Sequence, residues 1–77
     1  MTREDVFTAI AEVVSDRTDT AREDVQEEST FRDLGVDSLD TVEILMELED
    51  KLGTEIELDR KISTVGDLVS FIVDKEN

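Results

Sequence analysis

Ser38 is the hydroxyl with the most pointed surroundings in this chain. It stands in the stretch Asp33-Leu34-Gly35-Val36-Asp37-Ser38-Leu39-Asp40. As an independent nucleophile it fails: its flanks are not G-x-S-x-G, and the 77 residues include no histidine to take its proton. The absence of both histidine and cysteine also excludes thiol nucleophiles, zinc sites of the Cys/His type and disulfides. The neighbouring acids do not make an EF-hand, because a twelve-residue loop opened at Asp33 would end on Ile44, where a bidentate Glu is needed. Asp33, Asp37 and Asp40 amount to weak attraction for divalent ions and no specific metal site. A kinase could use Ser38, but nothing around it selects one. A serine at a helix start most often simply caps the helix. Beyond the cap, the remaining chemistry is a hydroxyl modified by another enzyme.

Hydrophobic periodicity sets this serine at the start of a helix. A first helix is predicted over 2–16, where Thr2 and Asp5 have the spacing of a capping pair and Val6, Ile10, Val13 and Val14 recur at helical intervals. Residues 17–36 hold few apolar side chains (Val25, Phe31, Leu34 and Val36) among many turn formers. They predict a long ordered loop pinned to the core, with a short helix around Arg22–Glu28 as the alternative. The second helix starts at Asp37 or Ser38 and runs to Leu52, ending at Gly53. Residues 54–62 predict a loop anchored by Ile56, Leu58 and Ile62 that carries one helical turn. The last helix opens at Ser63 or Thr64, with Asp67 placed to cap against Thr64 and Val65, Leu68, Val69 and Ile72 as its buried stripe. The DKEN tail is expected to fray. No proline, repeat or strand alternation interrupts this pattern. The expected fold is all-α: a small up-down four-helix bundle forming one domain over 1–77, with three main helices, one short third helix and a long loop between helices one and two.

The second helix has more apolar faces than a core requires. At about 100° per residue, Thr41, Ile44, Leu45, Leu48 and Leu52 share one arc, which faces the core. Leu39, Val42 and Met46 fall on roughly the opposite side, with Glu43 and Asp50 among them and Asp40, Glu47 and Glu49 at the flanks. No base occurs between Asp37 and Asp50. Either the long loop or another helix covers this second strip, or it is a docking face for an apolar patch ringed by Arg and Lys. Methionine suits a surface that must fit several partners.

The charge balance narrows the partners. Against 22 acids stand 8 bases, for a net charge of −14, which opposes binding to bare nucleic acid or an anionic membrane. No apolar run approaches the ~20 residues of a membrane span, and the opening MTREDVFTAI lacks the apolar stretch of a signal peptide. The expectation is a soluble, cytoplasmic, monomeric module without catalytic machinery that basic partner surfaces bind. Self-repulsion also opposes compaction in so small a domain. Moderate salt or millimolar magnesium is therefore expected to raise the melting temperature. A melting curve that does not move between low and moderate salt would overturn that electrostatic argument.

The stretch FRDLGVDSLDTVEILMELEDKLGTEI, residues 31–56, resembles the acyl carrier proteins of type II fatty acid synthase. The core of the resemblance is the D-S-L signature at Asp37-Ser38-Leu39, with Leu34-Gly35 ahead of it and D-T-V-E at 40–43 behind it. The likeness extends over essentially the whole chain, from the first helix to a final helix beginning near STVGDL. It implies a 4'-phosphopantetheine arm on Ser38 Oγ, installed from coenzyme A by a separate magnesium-dependent phosphopantetheinyl transferase. The arm ends in a thiol and carries growing fatty acyl groups as thioesters. A phosphodiester at a helix N-terminus would meet free N–H groups and the positive end of the helix dipole. Gly35 just ahead of it would allow the chain a tight approach.

By the same resemblance Asp37, Leu39 and Asp40 would guide the modifying enzyme. Asp37, Asp40, Glu43, Glu49 and Asp50 would supply the acids of the recognition helix, and Val42 and Met46 its apolar contacts. The partners implied are the transferase, fatty acid synthase enzymes and acyltransferases with basic docking patches. Ile44, Leu45 and Leu48 would line the core with Phe31, Ile56, Ile62, Leu68 and Ile72, and some of them would touch lipid sheltered between the helices. The chain departs from the family in three places. Only ELDRK separates Ile56 from Ile62, which cuts the third helix to about one turn, Glu47 stands where a small residue is common, and the loop before Phe31 is slightly longer. The alternatives are a specialised carrier of polyketide or aminoacyl units, D-alanyl for example, and an acidic adaptor without a prosthetic group. The acid after Leu39 and the many acids of the second helix favour fatty acyl cargo.

Overall fold

A computed structural model of the chain describes residues 2–57 and 62–76. Its main elements are α1 (Arg3–Arg17), α2 (Ser38–Leu52) and α3 (Val65–Glu76), with a single 3-10 turn at Arg22–Asp24. The three main helices lie where the hydrophobic periodicity put them. The 3-10 turn is what remains of the short helix considered for Arg22–Glu28. Residues 54–57 are not helical, and the expected turn of a short third helix falls on 58–61, outside the described residues.

Local chemistry starts each helix. Thr2 Oγ1 accepts from the Asp5 N–H at 3.1 Å, and the Asp5 carboxylate accepts from the Thr2 N–H at 3.4 Å, so the first helix opens on a reciprocal capping box. Val6, Ile10, Val13 and Val14 are buried as expected, and Ala9 and Ala11 with them. The wide buried arc follows from position: α1 packs against both α2 and α3. It runs antiparallel to α2, because Arg17 meets Glu43 and Glu47 while Glu12 meets Lys51 at 3.1 Å. The hydrogen-bonded Lys51 ammonium, with Arg22 nearby, holds the Glu12 carboxyl below the usual carboxylate range.

The long loop is ordered by α3. The Phe31 N–H donates to Ser63 O at 3.1 Å, the Val65 N–H to Ser29 O at 2.9 Å, and the Gly66 N–H to Glu27 O at 2.9 Å. Loop carbonyls thereby satisfy N–H groups that a first helical turn leaves without partners. Gly66 is a glycine because the loop lies on it: a Cβ there would sit 3.1 Å from Glu27 O. Val25, Phe31, Leu34 and Val36, the loop's apolar residues, are all buried.

Asp67 completes the start of α3. Its carboxylate accepts from the Thr64 and Ser63 N–H groups at 3.2 and 3.3 Å, while the Asp67 N–H donates to Thr64 Oγ1 at 3.0 Å. Those backbone donors hold the Asp67 carboxyl below its ordinary pKa. A depressed folded-state pKa means stabilisation that is present above the unfolded value and lost as pH falls through the folded one. Asp67→Asn, the neutral isostere, is therefore expected to melt lower than the parent at neutral pH. The gap should close as the pH is taken below about 4, and a gap independent of pH would exclude the charged cap.

The core collects Ile44 and Leu48 from α2, Val65, Leu68, Val69, Phe71 and Ile72 from α3, and Ile56 from the connection between them. Leu45 and Ile62, expected inside, are only partly buried. The backbones of α2 and α3 both approach α1 but not each other, which leaves Leu45 and Ile62 at the edge of the space between them. Of the tail expected to fray, Asp74, Lys75 and Glu76 instead continue α3, and Asn77 lies outside the described residues. Val73 packs on the core there, and Lys75 Nζ lies 5.7 Å from the Phe71 ring centre.

Candidate functional site

The segment ahead of α2 is built to present one residue. Phe31, Leu34 and Val36 bury their side chains, and the Val36 N–H donates to Phe31 O at 2.9 Å. Thr30 Oγ1 accepts from the Asp33 N–H at 3.0 Å. Gly35 adopts φ +80°, a left-handed conformation that residues other than glycine rarely take, and beyond its two chain neighbours nothing lies within 4 Å of where its Cβ would stand. The left-handed φ is what the turn into α2 requires of this residue.

The cap of α2 is Asp37. Its Oδ1 accepts from the Asp40 N–H at 2.8 Å, and Asp40 Oδ2 accepts from the Asp37 N–H at 3.4 Å. Ser38 is thus the first helical residue and not the cap that a serine at this place most often is. Ser38 is exposed, and its hydroxyl makes no hydrogen bond among the described residues. Two functions that could have fallen to one side chain are divided: Asp37 secures the helix, and Ser38 Oγ is left available. The signal was present in the sequence, since Asp37 and Asp40 stand at capping-box spacing.

Ser38 opens onto a cleft of about 460 Å³, lined also by Arg32, Asp37 and Thr41. Phe31, Thr41 and Ile62 line both this cleft and a narrow apolar cavity of about 50 Å³, closed further in by Ile44, Leu45 and Leu68. The exposed hydroxyl and the polar, open cleft beside it fit a long covalent substituent, which could lie along the surface and reach apolar side chains. Among the described residues no group of three acidic side chains is gathered to hold a metal ion.

The second face of α2 is bare. Leu39, Val42 and Met46 are 76%, 56% and 60% exposed, so neither the loop nor a helix covers them. The acids assigned to this face divide. Asp37 and Asp40 form the capping box beside Ser38, and Asp50 is exposed with no ion-pair partner among the described residues. Glu43 is bonded to Arg17 at 2.8 Å. Glu49 Oε2 accepts from the Ile56 N–H at 2.9 Å, which braces the chain as it leaves α2. Glu47, the acid in an unexpected place, holds the other nitrogen of Arg17 at 2.7 Å. Arg17 and Arg32 were not singled out in the sequence, because nothing in their spacing shows which part of α2 they approach.

Residues 8–72 match the family described as the phosphopantetheine attachment site. Among solved structures, the chain is similar to the acyl carrier protein from Enterococcus faecalis, whose account concerns that protein's high thermal stability. The two are 39% identical with a TM-score of 0.75, over 96% of this chain and 98% of that one.

Proposed function

The chain belongs to the phosphopantetheine-attachment family of carrier proteins, and from that premise we propose that Ser38 is its point of attachment and fatty acyl groups its cargo. The observation that carries this is the free Ser38 hydroxyl, exposed because Asp37 takes the cap. A phosphopantetheinyl transferase, with magnesium, would move the group from coenzyme A onto Ser38 Oγ: the Oγ–P bond forms as the pyrophosphate bond of coenzyme A breaks, adenosine 3',5'-bisphosphate leaves, and the hydroxyl proton passes to a base of the transferase. When attached, the group supplies a thiol on which an acyl chain is held as a thioester. The chain's own residues anchor and present it. The N–H groups of the first turn of α2 favour a phosphodiester at Ser38, Arg32 lines the same cleft, and Asp37 keeps the helix start ordered. No histidine is present to act as a local base on a thioester.

Leu39, Val42 and Met46 form the landing strip for the transferase and for acyl-handling enzymes in turn. Asp37, Asp40, Glu43, Glu49 and Asp50 give the surrounding surface a negative field that steers basic patches toward Ser38. The small apolar cavity between α2 and α3 supports fatty acyl cargo, and it must widen to admit a chain. The protein works as a single monomeric carrier domain in the cytoplasm. No helix among the described residues is long and apolar enough to cross a membrane.

The test is loading. Apo-protein incubated with a broad-specificity transferase, magnesium and coenzyme A is expected to gain the mass of one phosphopantetheinyl group. The product is then offered malonyl, long-chain acyl and aminoacyl donors with their loading enzymes. Preference for the first two supports the fatty acyl assignment. Exclusive aminoacyl loading transfers the chain to the specialised carriers, and no mass gain with several transferases removes the proposal.

A further inference from the structure

We propose that Arg17 is an internal competitor for the docking strip, so that it sets which basic partners α2 accepts. The inference rests on the docking role proposed above for the strip. Arg17 ends α1 and reaches across to α2, where its two terminal nitrogens donate to Glu43 Oε2 at 2.8 Å and Glu47 Oε1 at 2.7 Å. Glu43 and Glu47 stand four residues apart on one helix, a like-charge spacing that is unfavourable when no cation intervenes. The Arg17 side chain keeps only 28% of its surface in water, against 55% for Glu43.

The consequence is a shift in where the strip is negative. Of the acids beside Leu39, Val42 and Met46, Glu43 is already paired within the chain, and Glu47 at the flank shares the same cation. Asp37, Asp40 and Asp50 have no such partner among the described residues. A partner that presents its cations at the Ser38 end meets uncompensated charge. A partner with a cation opposite the middle of the strip must evict Arg17 or go without Glu43. Ion pairs this exposed are individually weak, so Arg17 tunes docking by about two- to fivefold and does not block it.

The transferase, docked along Leu39, Val42 and Met46 as proposed above, covers the middle of the strip as well as the Ser38 end. Its kinetics at low ionic strength, with the apo-protein as the varied substrate, therefore test this. Arg17→Gln is expected to lower KM for the protein about two- to fivefold with kcat unchanged. Arg22→Gln removes the same charge at a site that pairs with Glu12 at 3.6 Å, and it should leave KM near the parent value. Adding Glu43→Gln to Arg17→Gln should cancel the gain. Should Arg17→Gln fold poorly, Glu47→Gln leaves Arg17 to Glu43 alone and is expected to raise KM. An unchanged or higher KM in Arg17→Gln, equal falls in the two arginine variants, or a lower KM in Glu47→Gln overturns the competitor role while the carrier assignment stands. Failure of the parent protein to be modified at all overturns both.

Discussion

Ser38→Ala is expected to abolish the gain of a phosphopantetheinyl group while leaving the melting temperature where it was. The first half follows from chemistry, since no other atom of the side chain could form the ester. The second half follows from the capping geometry. Were Ser38 the cap of α2, its loss would cost about 0.5–2 kcal/mol. Asp37 holds that place, with its Oδ1 on the Asp40 N–H, and the Ser38 hydroxyl has no hydrogen bond to lose. A surface change of this kind stays within about 0.5 kcal/mol. Asp37→Ala is the complementary variant: it removes the cap, is expected to destabilise by about 1 kcal/mol, and keeps the hydroxyl. Intact-protein mass and a melting curve on the two variants separate the roles. Modification that persists in Ser38→Ala would move the attachment elsewhere. A fall in stability on the scale of a lost cap would show that the hydroxyl is engaged in the fold.

The second large effect is a contrast within α2. Leu48 is fully buried, so Leu48→Ala is expected to cost about 2–5 kcal/mol through lost transfer free energy and the cavity left behind. Domains as a class have about 5–15 kcal/mol in total, and one this small sits toward the lower end. Leu48→Ala should therefore melt far lower or fail to fold. Met46, two residues earlier, is 60% exposed. Met46→Ala should leave the melting temperature nearly unchanged and raise KM for the protein in the transferase reaction, because the contact it loses forms only with a partner. Equal destabilisation by the two would mean that the outer strip is covered. A mild Leu48→Ala would mean that the inner arc is not the core.

Much of this protein follows from the order of its residues alone, because the interactions concerned are local. Thr2 with Asp5, Asp37 with Asp40 and Thr64 with Asp67 are three residues apart, and each pair caps a helix. Periodicity separates Ile44 and Leu48 from Val42 and Met46, since a helix turns by a fixed angle per residue whatever lies around it. The D-S-L signature points to the family without any coordinates. What tertiary structure decided depends on contacts between distant positions. Whether Leu39, Val42 and Met46 are covered is set by where the loop goes, and the loop goes to α3, through Ser29 with Val65 and Glu27 with Gly66. The separate fates of the acids of α2 are of the same kind. Glu43 and Glu47 turn to Arg17, and Glu49 turns to the Ile56 N–H. Composition gives each carboxylate the same charge, but only the packing of α1 and of the segment after α2 determines which carboxylates of α2 are already engaged and which still face solvent.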